Sequence, residues 1–522
     1  MSAGVAVETS SEPAGSRDDE RHIKVDSLAG GIGLLLVLTV AQRAVGFARN
    51  LLFCRILTPE QLGQWNLAFS VILLAAPLLV LGLPGSFGRY VEHYRQRRML
   101  RTFLHRTTRV TMSVSLGGLV ALIVFREELA WLVYRDRGQA SLILAVCVGL
   151  LPIIAFNYLV ELCTALRQVR LLAFVQLANS VLFAGLGIGL LQCFQASAFS
   201  VVLAYGGACF LTAAFIVVPL WKLLAPVTDG DSRSLAGRQL WFKLMPFAGW
   251  IWFSNLTSNM FTAADRYMIV HFADVEPLAA AGLVGQYHSS RVVPELMVAV
   301  AALLASVLLP YLSADWELQK ARTVSRKLNF ALKLYGLVGT LGGGLLLCVA
   351  PWLFNVLLGG KYGAGLAILP WTIAYCLWFG MVSIAQQYLM CAENARRISA
   401  ALFAGLITNI VLNYLWLPMF GLLGAVLATA AGNSVALVVT ILFSRRYGMR
   451  MEKGTIAVCL MPLGLAVAGW PAMVFAVVAA WISLRSRHVF TLGDFAQLHR
   501  VVRNVKLRIA LARRECSAGP AR

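Results

Sequence analysis

Along the chain, apolar runs of about 20 residues or more alternate with short polar connections. A helix rises about 1.5 Å per residue, so each run matches the roughly 30 Å hydrocarbon core of a bilayer. The pattern predicts spanning helices near residues 27–54, 62–83, 103–125, 139–165, 171–191, 198–221, 243–271, 282–312, 328–350, 363–391, 397–417 and 421–443. The apolar run from Thr455 to Ser483 differs. As one helix it would measure roughly 43 Å, well beyond the bilayer core. Gly469-Trp470-Pro471 in its middle predicts a break into two short spans.

Basic residues collect in alternate connections: Arg89 to Arg106, Arg167 and Arg170, Lys222 to Lys243, Lys320 to Lys327, Arg396 and Arg397, and Arg445 to Lys453. The intervening connections carry little beyond Arg55, Arg126, Arg135, Arg137 and Lys361. Lys and Arg accumulate in short loops on the cytoplasmic side, so the amino terminus is predicted to be cytoplasmic. The tail after Arg485 is basic as well, which requires an even number of spans and favours about 14 transmembrane helices.

Composition agrees with the pattern. Of 522 residues, 59% are hydrophobic and 13% charged, against roughly 45 to 50% apolar in soluble domains. The fold class is therefore an all-α polytopic membrane protein. A net charge of +21 would suggest nucleic acid in a soluble chain, but here it is the topology signal, and no nucleic-acid partner is expected. The cysteines stand singly in apolar runs with no Cys-x-x-Cys pair, so they read as small apolar residues and no metal site is expected.

The chain also repeats itself. Thr58-Pro59-Glu60 leading to Gly63-Gln64-Trp65 after the first span is echoed by Glu276-Pro277 leading to Gly285-Gln286-Tyr287 after the seventh. Six spans separate the copies, so both enter the membrane from the same side and substrate is expected between the two halves. The chain divides into a disordered cytoplasmic tail (1–24), an N-lobe (25–224), a cytoplasmic linker (225–242) and a C-lobe (243–445). Two C-terminal helices (454–484) and a basic cytoplasmic tail (485–522) follow.

Several stretches, in this order, carry a resemblance. They are Gly46-Phe47-Ala48-Arg49-Asn50, Leu57-Thr58-Pro59-Glu60-Gln61-Leu62-Gly63, Gly82-Leu83-Pro84 with its basic loop, and Asp265-Arg266-Tyr267-Met268. Further on come Leu309-Pro310-Tyr311, Leu358-Gly359-Gly360-Lys361-Tyr362, and Asn409 to Asn413 followed by Pro418 to Ala425. The whole resembles the polysaccharide-biosynthesis oligosaccharide flippases (PST/Wzx-like) of the MOP superfamily. The resemblance implies two pseudo-symmetric six-helix lobes, MATE-like, plus two C-terminal helices. It also implies a bacterial inner-membrane flippase that moves an undecaprenyl-pyrophosphate-linked oligosaccharide from the cytoplasmic to the periplasmic leaflet by alternating access. Membrane lipid and a polysaccharide polymerase or chain-length protein would be its partners, with no cofactor. A MATE-type drug or metabolite cation antiporter, a lipid II flippase and a non-transport scaffold are the alternatives.

No nucleophile, base and carboxylate share a readable spacing, so the chain is expected to be a transporter and not an enzyme. What remains are ionisable and polar groups at membrane depth, where a charge costs roughly 2.5 to 3.5 kcal/mol and marks a functional candidate. The cavity candidates are Arg43, Arg49 and Asn50 in the first span, Asp265 and Arg266 near the outer end of the seventh, and Arg291 and Glu295 in the eighth. Guanidinium forks suit a pyrophosphate and amides suit sugars. Pairing of these arginines with Asp or Glu merely to lock helices is the alternative. Arg49 and Asp265 occupy equivalent places in the two lobes with opposite charges, which makes them gate candidates, unless Asp265 pairs inside its own lobe with Arg266 or Arg291. Glu161, Asn157, Gln176 and Asn179 read as hydrogen bonds between helices, as do Asn255, Asn259, Gln386, Gln387, Asn409 and Asn413.

Overall fold

A computed structural model describes residues 28–225, 237–467, 469–486 and 489–490. The expected amino-terminal tail, most of the linker (226–236) and the basic tail from 491 onward lie outside the described residues.

Helices account for nearly all of the described chain. In the N-lobe, α1 (Leu28–Ile56) and α2 (Pro59–Val80) are followed by α3 (Phe87–Gln96), α4 (Leu100–Val124), α5 (Arg126–Tyr134), α6 (Ala140–Ala165), α7 (Val169–Cys193) and α8 (Ala198–Leu224). In the C-lobe come α9 (Gly237–Phe272), α10 (Pro277–Arg291), α11 (Pro294–Glu317), α12 (Ala321–Trp352), α13 (Gly363–Cys391), α14 (Ala395–Phe420) and α15 (Leu422–Arg446). Two short apolar helices, α16 (Lys453–Leu460) and α17 (Gly469–Arg485), close the described chain. Among the described residues, 10 helices are long and apolar enough to cross a membrane. Large apolar side chains such as Leu116, Val120 and Phe210 stand on the outer surface, as lipid-facing helices require.

The sequence specifies several boundaries directly. Thr58 caps α2 through a reciprocal box with Gln61, and Pro59 opens the helix where its missing N–H costs nothing. The helix ends on Leu81 and Gly82, both left-handed. Three features differ from the reading of the sequence. The basic connection after the second span contains a helix, α3, because Phe87, Tyr90, Val91 and Tyr94 recur at helical spacing and are buried together. The eighth span is two helices, since Pro294 cannot donate to the preceding turn and breaks the run between α10 and α11. Residues 237–242, assigned to the linker, already belong to α9.

Within the N-lobe, α1 packs on α7 and α6 on α8; within the C-lobe, α13 and α14 pack on α15. The helices α16 and α17 lie on α12. Buried Lys333 is paired there with Glu452, and Asn329 accepts from Glu452 N and Thr455 Oγ1.

The lobes meet where the repeated motifs meet, at the crossing of α2 and α10. A side chain on Gly63 would collide with Ala281 O, and one on Gly285 with Pro59 O. Both glycines are thus required by close backbone approach.

Candidate functional site

A cavity of about 380 Å³ lies between the lobes, lined from one side by α1, α2, α7 and α8 and from the other by α9, α10 and α11. Its position follows from the fold: α1, α2 and their counterparts in the second lobe face each other beneath the Gly63–Gly285 crossing.

Of the site residues read from the sequence, Arg43, Arg49, Asn50, Arg266 and Glu295 line this cavity together. Arg43 is exposed at its edge. The Arg49 guanidinium sits 4.1 Å from the centroid of the Phe183 ring and donates to Asn50 Oδ1 at 3.3 Å. Arg266 is buried and crosses the lobe boundary, donating from Nη1 to Ser70 Oγ at 2.8 Å and to Asn66 O at 3.3 Å. Arg291 Nε lies 3.3 Å from Glu295 Oε1 at the break between α10 and α11, so the one carboxylate among the described residues of the cavity wall already faces a cation. Arg49 Nε, Arg266 Nε and His288 Nδ1 are buried with no hydrogen-bond partner.

Asp265 faces away from this cavity. Its Oδ1 accepts from Asn409 Nδ2 at 2.8 Å and Asn413 Nδ2 at 2.9 Å; its Oδ2 accepts from Tyr287 OH at 2.6 Å and Thr429 Oγ1 at 2.8 Å. All four donors belong to the C-lobe. The expected pairing of Arg49 with Asp265 is therefore not made in this conformation, and neither is a pairing with Arg266 or Arg291: the carboxylate is fully solvated by neutral donors. The carboxamide oxygens of Asn409 and Asn413, whose amides hold it, are buried without partners, as is that of Asn433 on α15. One carboxylate with hydroxyl and rotatable amide oxygens is a hard donor set, suited to a monovalent cation or a proton. Among the described residues no cluster of three or more His, Cys, Asp or Glu could hold a transition metal.

Other residues line the cavity without having been singled out as site candidates. Trp65, Phe69, Phe183 and Tyr205 form an aromatic wall, with ring centroids 4.9 Å apart for Phe183 and Tyr205 and 5.7 Å for Trp65 and Phe69. The only sequence signal for Trp65 was its place in the repeated motif. His288 and Asn66 had none, because the eighth span read as a continuous apolar run and Asn66 sits in another. Gln176 and Asn179, read as hydrogen bonds between helices, do line the cavity, and Asn179 also accepts from Thr212 at 3.4 Å. Asn157 and Glu161 are exposed on α6, away from it.

The lobes touch along their length: towards the basic connections a side chain on Gly82 would meet Ala248 O, and Asn259 Nδ2 donates to Leu73 O at 2.9 Å, while further bonds lie at the opposite end. Arg135 Nη1 donates to Val270 O at 3.2 Å, Lys361 Nζ to Arg55 O at 3.1 Å and Tyr362 OH to Leu57 O at 3.3 Å. His271 Nε2 lies 2.7 Å from Leu132 O. These bonds join the lobes on that side.

The family described as "Polysaccharide biosynthesis protein" matches residues 28–316, more than half of the chain. The fold is similar to that of "Lipid II flippase MurJ, inward closed conformation", with a TM-score of 0.67 and 16% identity, covering 86% of this chain and 97% of that one. It is also similar to an inward-facing multidrug resistance MATE family transporter of the MOP superfamily, with a TM-score of 0.59 and 14% identity over 81% of this chain and 95% of the other. An outward-facing structure of such a transporter gives a TM-score of 0.54 and 15% identity over 81% and 96%. No curated protein matches the sequence. At these identities the likeness to solved structures speaks for a shared fold.

Proposed function

Because the chain belongs to the polysaccharide biosynthesis protein family, we propose that it is an inner-membrane flippase for an undecaprenyl-pyrophosphate-linked oligosaccharide, moving it from the cytoplasmic to the periplasmic leaflet. One observation carries the reading: Arg49 and Arg266 line an interlobe cavity, each with a buried guanidinium Nε–H that has no partner, and the carboxylate among the described lining residues, Glu295, already faces Arg291. An unmet buried donor costs about 1 to 3 kcal/mol, so the cavity has free energy to gain from an anion with several acceptor oxygens. A pyrophosphate supplies them.

The other walls suit the glycan. Amides of Gln42, Asn50, Gln176 and Asn179 offer both donors and acceptors to hydroxyls. The aromatic wall of Trp65, Phe69 and Tyr205 offers negative ring faces to the C–H side of a sugar ring. The volume, about 380 Å³, lies at the lower end for ligand pockets, so a whole oligosaccharide requires the lobes to part. The bonds of Arg135, Lys361 and Tyr362 would hold the periplasmic side shut until then. A cation or proton arriving at Asp265 would meet that carboxylate and the freed amide oxygens of Asn409 and Asn413, and so supply the coupling step.

The drug-antiporter alternative shares the buried carboxylate but not the cavity. Arg43, Arg49 and Arg266 repel a cationic amphiphile. The test is movement of a pyrophosphate-linked glycolipid across liposomes holding the purified protein, read by lectin accessibility. Transport lost in the Arg49→Ala, Arg266→Ala double variant supports the reading. Glycolipid that stays in its leaflet while a cationic dye is exchanged for sodium overturns it.

A further inference from the structure

A second recess, about 340 Å³, opens on the flank of the N-lobe. It is framed by the start of α4, the end of α6 and the end of α8, all at the end of the lobe that carries the basic connections. Its walls are carbon: Leu104, Leu162 and Leu220 are buried there, and Leu159 adds to them. The two polar groups inside satisfy each other, Thr108 Oγ1 lying 2.6 Å from Tyr158 OH. Nothing in the interior asks for a polar ligand.

The rim is of another kind. Arg101 and His105 stand exposed one turn apart on α4, and the Trp221 ring is 71% exposed on α8 beside them. An exposed indole over an apolar slot belongs at the headgroup level of a bilayer. The segment from Phe87 to Arg109 contributes Arg89, Arg95, Arg97, Arg98, Arg106 and Arg109 besides Arg101, against the single acid Glu92. An apolar slot under a basic rim selects an apolar chain that ends in an anion.

We propose that this recess seats one acyl chain of an anionic glycerophospholipid, with its phosphate at Arg101 and His105. The recess is separate from the central cavity: no described residue lines both, and Tyr205 of the central one lies roughly 24 Å along α8 from Trp221. A lipid wedged among three helices fixes the depth of the N-lobe in one leaflet while the C-lobe moves against it.

The test is native mass spectrometry of the full-length protein after equilibration with phosphatidylglycerol and phosphatidylcholine of identical chains. Wild type retains phosphatidylglycerol preferentially. Arg101→Ala weakens that retention about fivefold, as expected for one cation at a membrane surface, and adding His105→Ala weakens it further. Leu159→Trp, which fills the slot, removes retention. Equal retention of the two lipids by wild type overturns the proposal, as does wild-type retention in the Arg101→Ala, His105→Ala variant. Both residues are exposed, so that pair decides the matter even where Leu159→Trp fails to fold.

Discussion

Arg266 Nη1 donates to Ser70 Oγ across 2.8 Å, so a guanidinium rooted in one lobe is anchored on a helix of the other. The same side chain lines the cavity with Nε unpartnered. It therefore senses both the ligand and the contact between lobes. Arg266→Ala is expected to abolish export of polysaccharide while the protein still accumulates in the membrane. Ser70→Ala removes one hydrogen bond to a charged group, worth roughly 1.5 to 3 kcal/mol, and shifts the balance between conformations without emptying the cavity of charge. Its transport should fall less than that of Arg266→Ala; equal losses would place Arg266 among purely structural residues.

Arg49 and Asp265 do not meet in this conformation, and Asp265 would have to leave four hydrogen bonds to reach Arg49. Arg49→Asp combined with Asp265→Arg should accordingly transport no better than the worse single variant. Recovery by the swap would reinstate a gate between them. Arg49→Lys should retain partial activity, because an ammonium keeps the charge over Phe183 but not the planar fork.

For the proposed coupling role of Asp265, Asp265→Asn is the informative change. The isosteric amide keeps most of the packing, and transport should then lose its dependence on a sodium or proton gradient. Asp265→Ala should instead lower the unfolding temperature, since several buried donors at about 1 to 3 kcal/mol each lose their acceptor. A gradient response that persists in Asp265→Asn would remove the cradle from the mechanism.

Gly63→Leu or Gly285→Leu should force α2 and α10 apart, because each side chain would be built into the other helix's backbone. Cysteine reagents applied from the periplasm should then reach the cavity, and flipping should stop. Unchanged accessibility would show that the crossing is not the seal.

Topology rests on the basic connections. Reporter fusions at Ser10 and Ala518 should both report cytoplasm, whereas a periplasmic carboxyl terminus would rule out an even number of spans.

Much of the fold was legible because a bilayer leaves few options: apolar runs must be helices, and alternate basic loops must share a side. The repeated Pro and Gly were also legible, and they turned out to touch. What escaped was whatever depends on side-chain direction. Asp265 and Arg266 looked like a unit in sequence, yet consecutive residues on a helix point about 100° apart and these face different surroundings. Asn409 and Asn413 do make helix-to-helix bonds, as their sequence positions suggest, and what the sequence left open was that their partner is Asp265. His288 was hidden because the break at Pro294 was not anticipated in a run that otherwise spans.

The adjacency of Asp265 and Arg266 has a thermodynamic corollary. One peptide bond joins a group that would hold a coupling ion to a group that would hold the headgroup, so a change in the pose of α9 acts on both. If ion occupancy raises glycolipid affinity by some factor, glycolipid occupancy must raise ion affinity by the same factor. Binding isotherms for the headgroup at several ion concentrations, and for the ion at several headgroup concentrations, would then describe a single number.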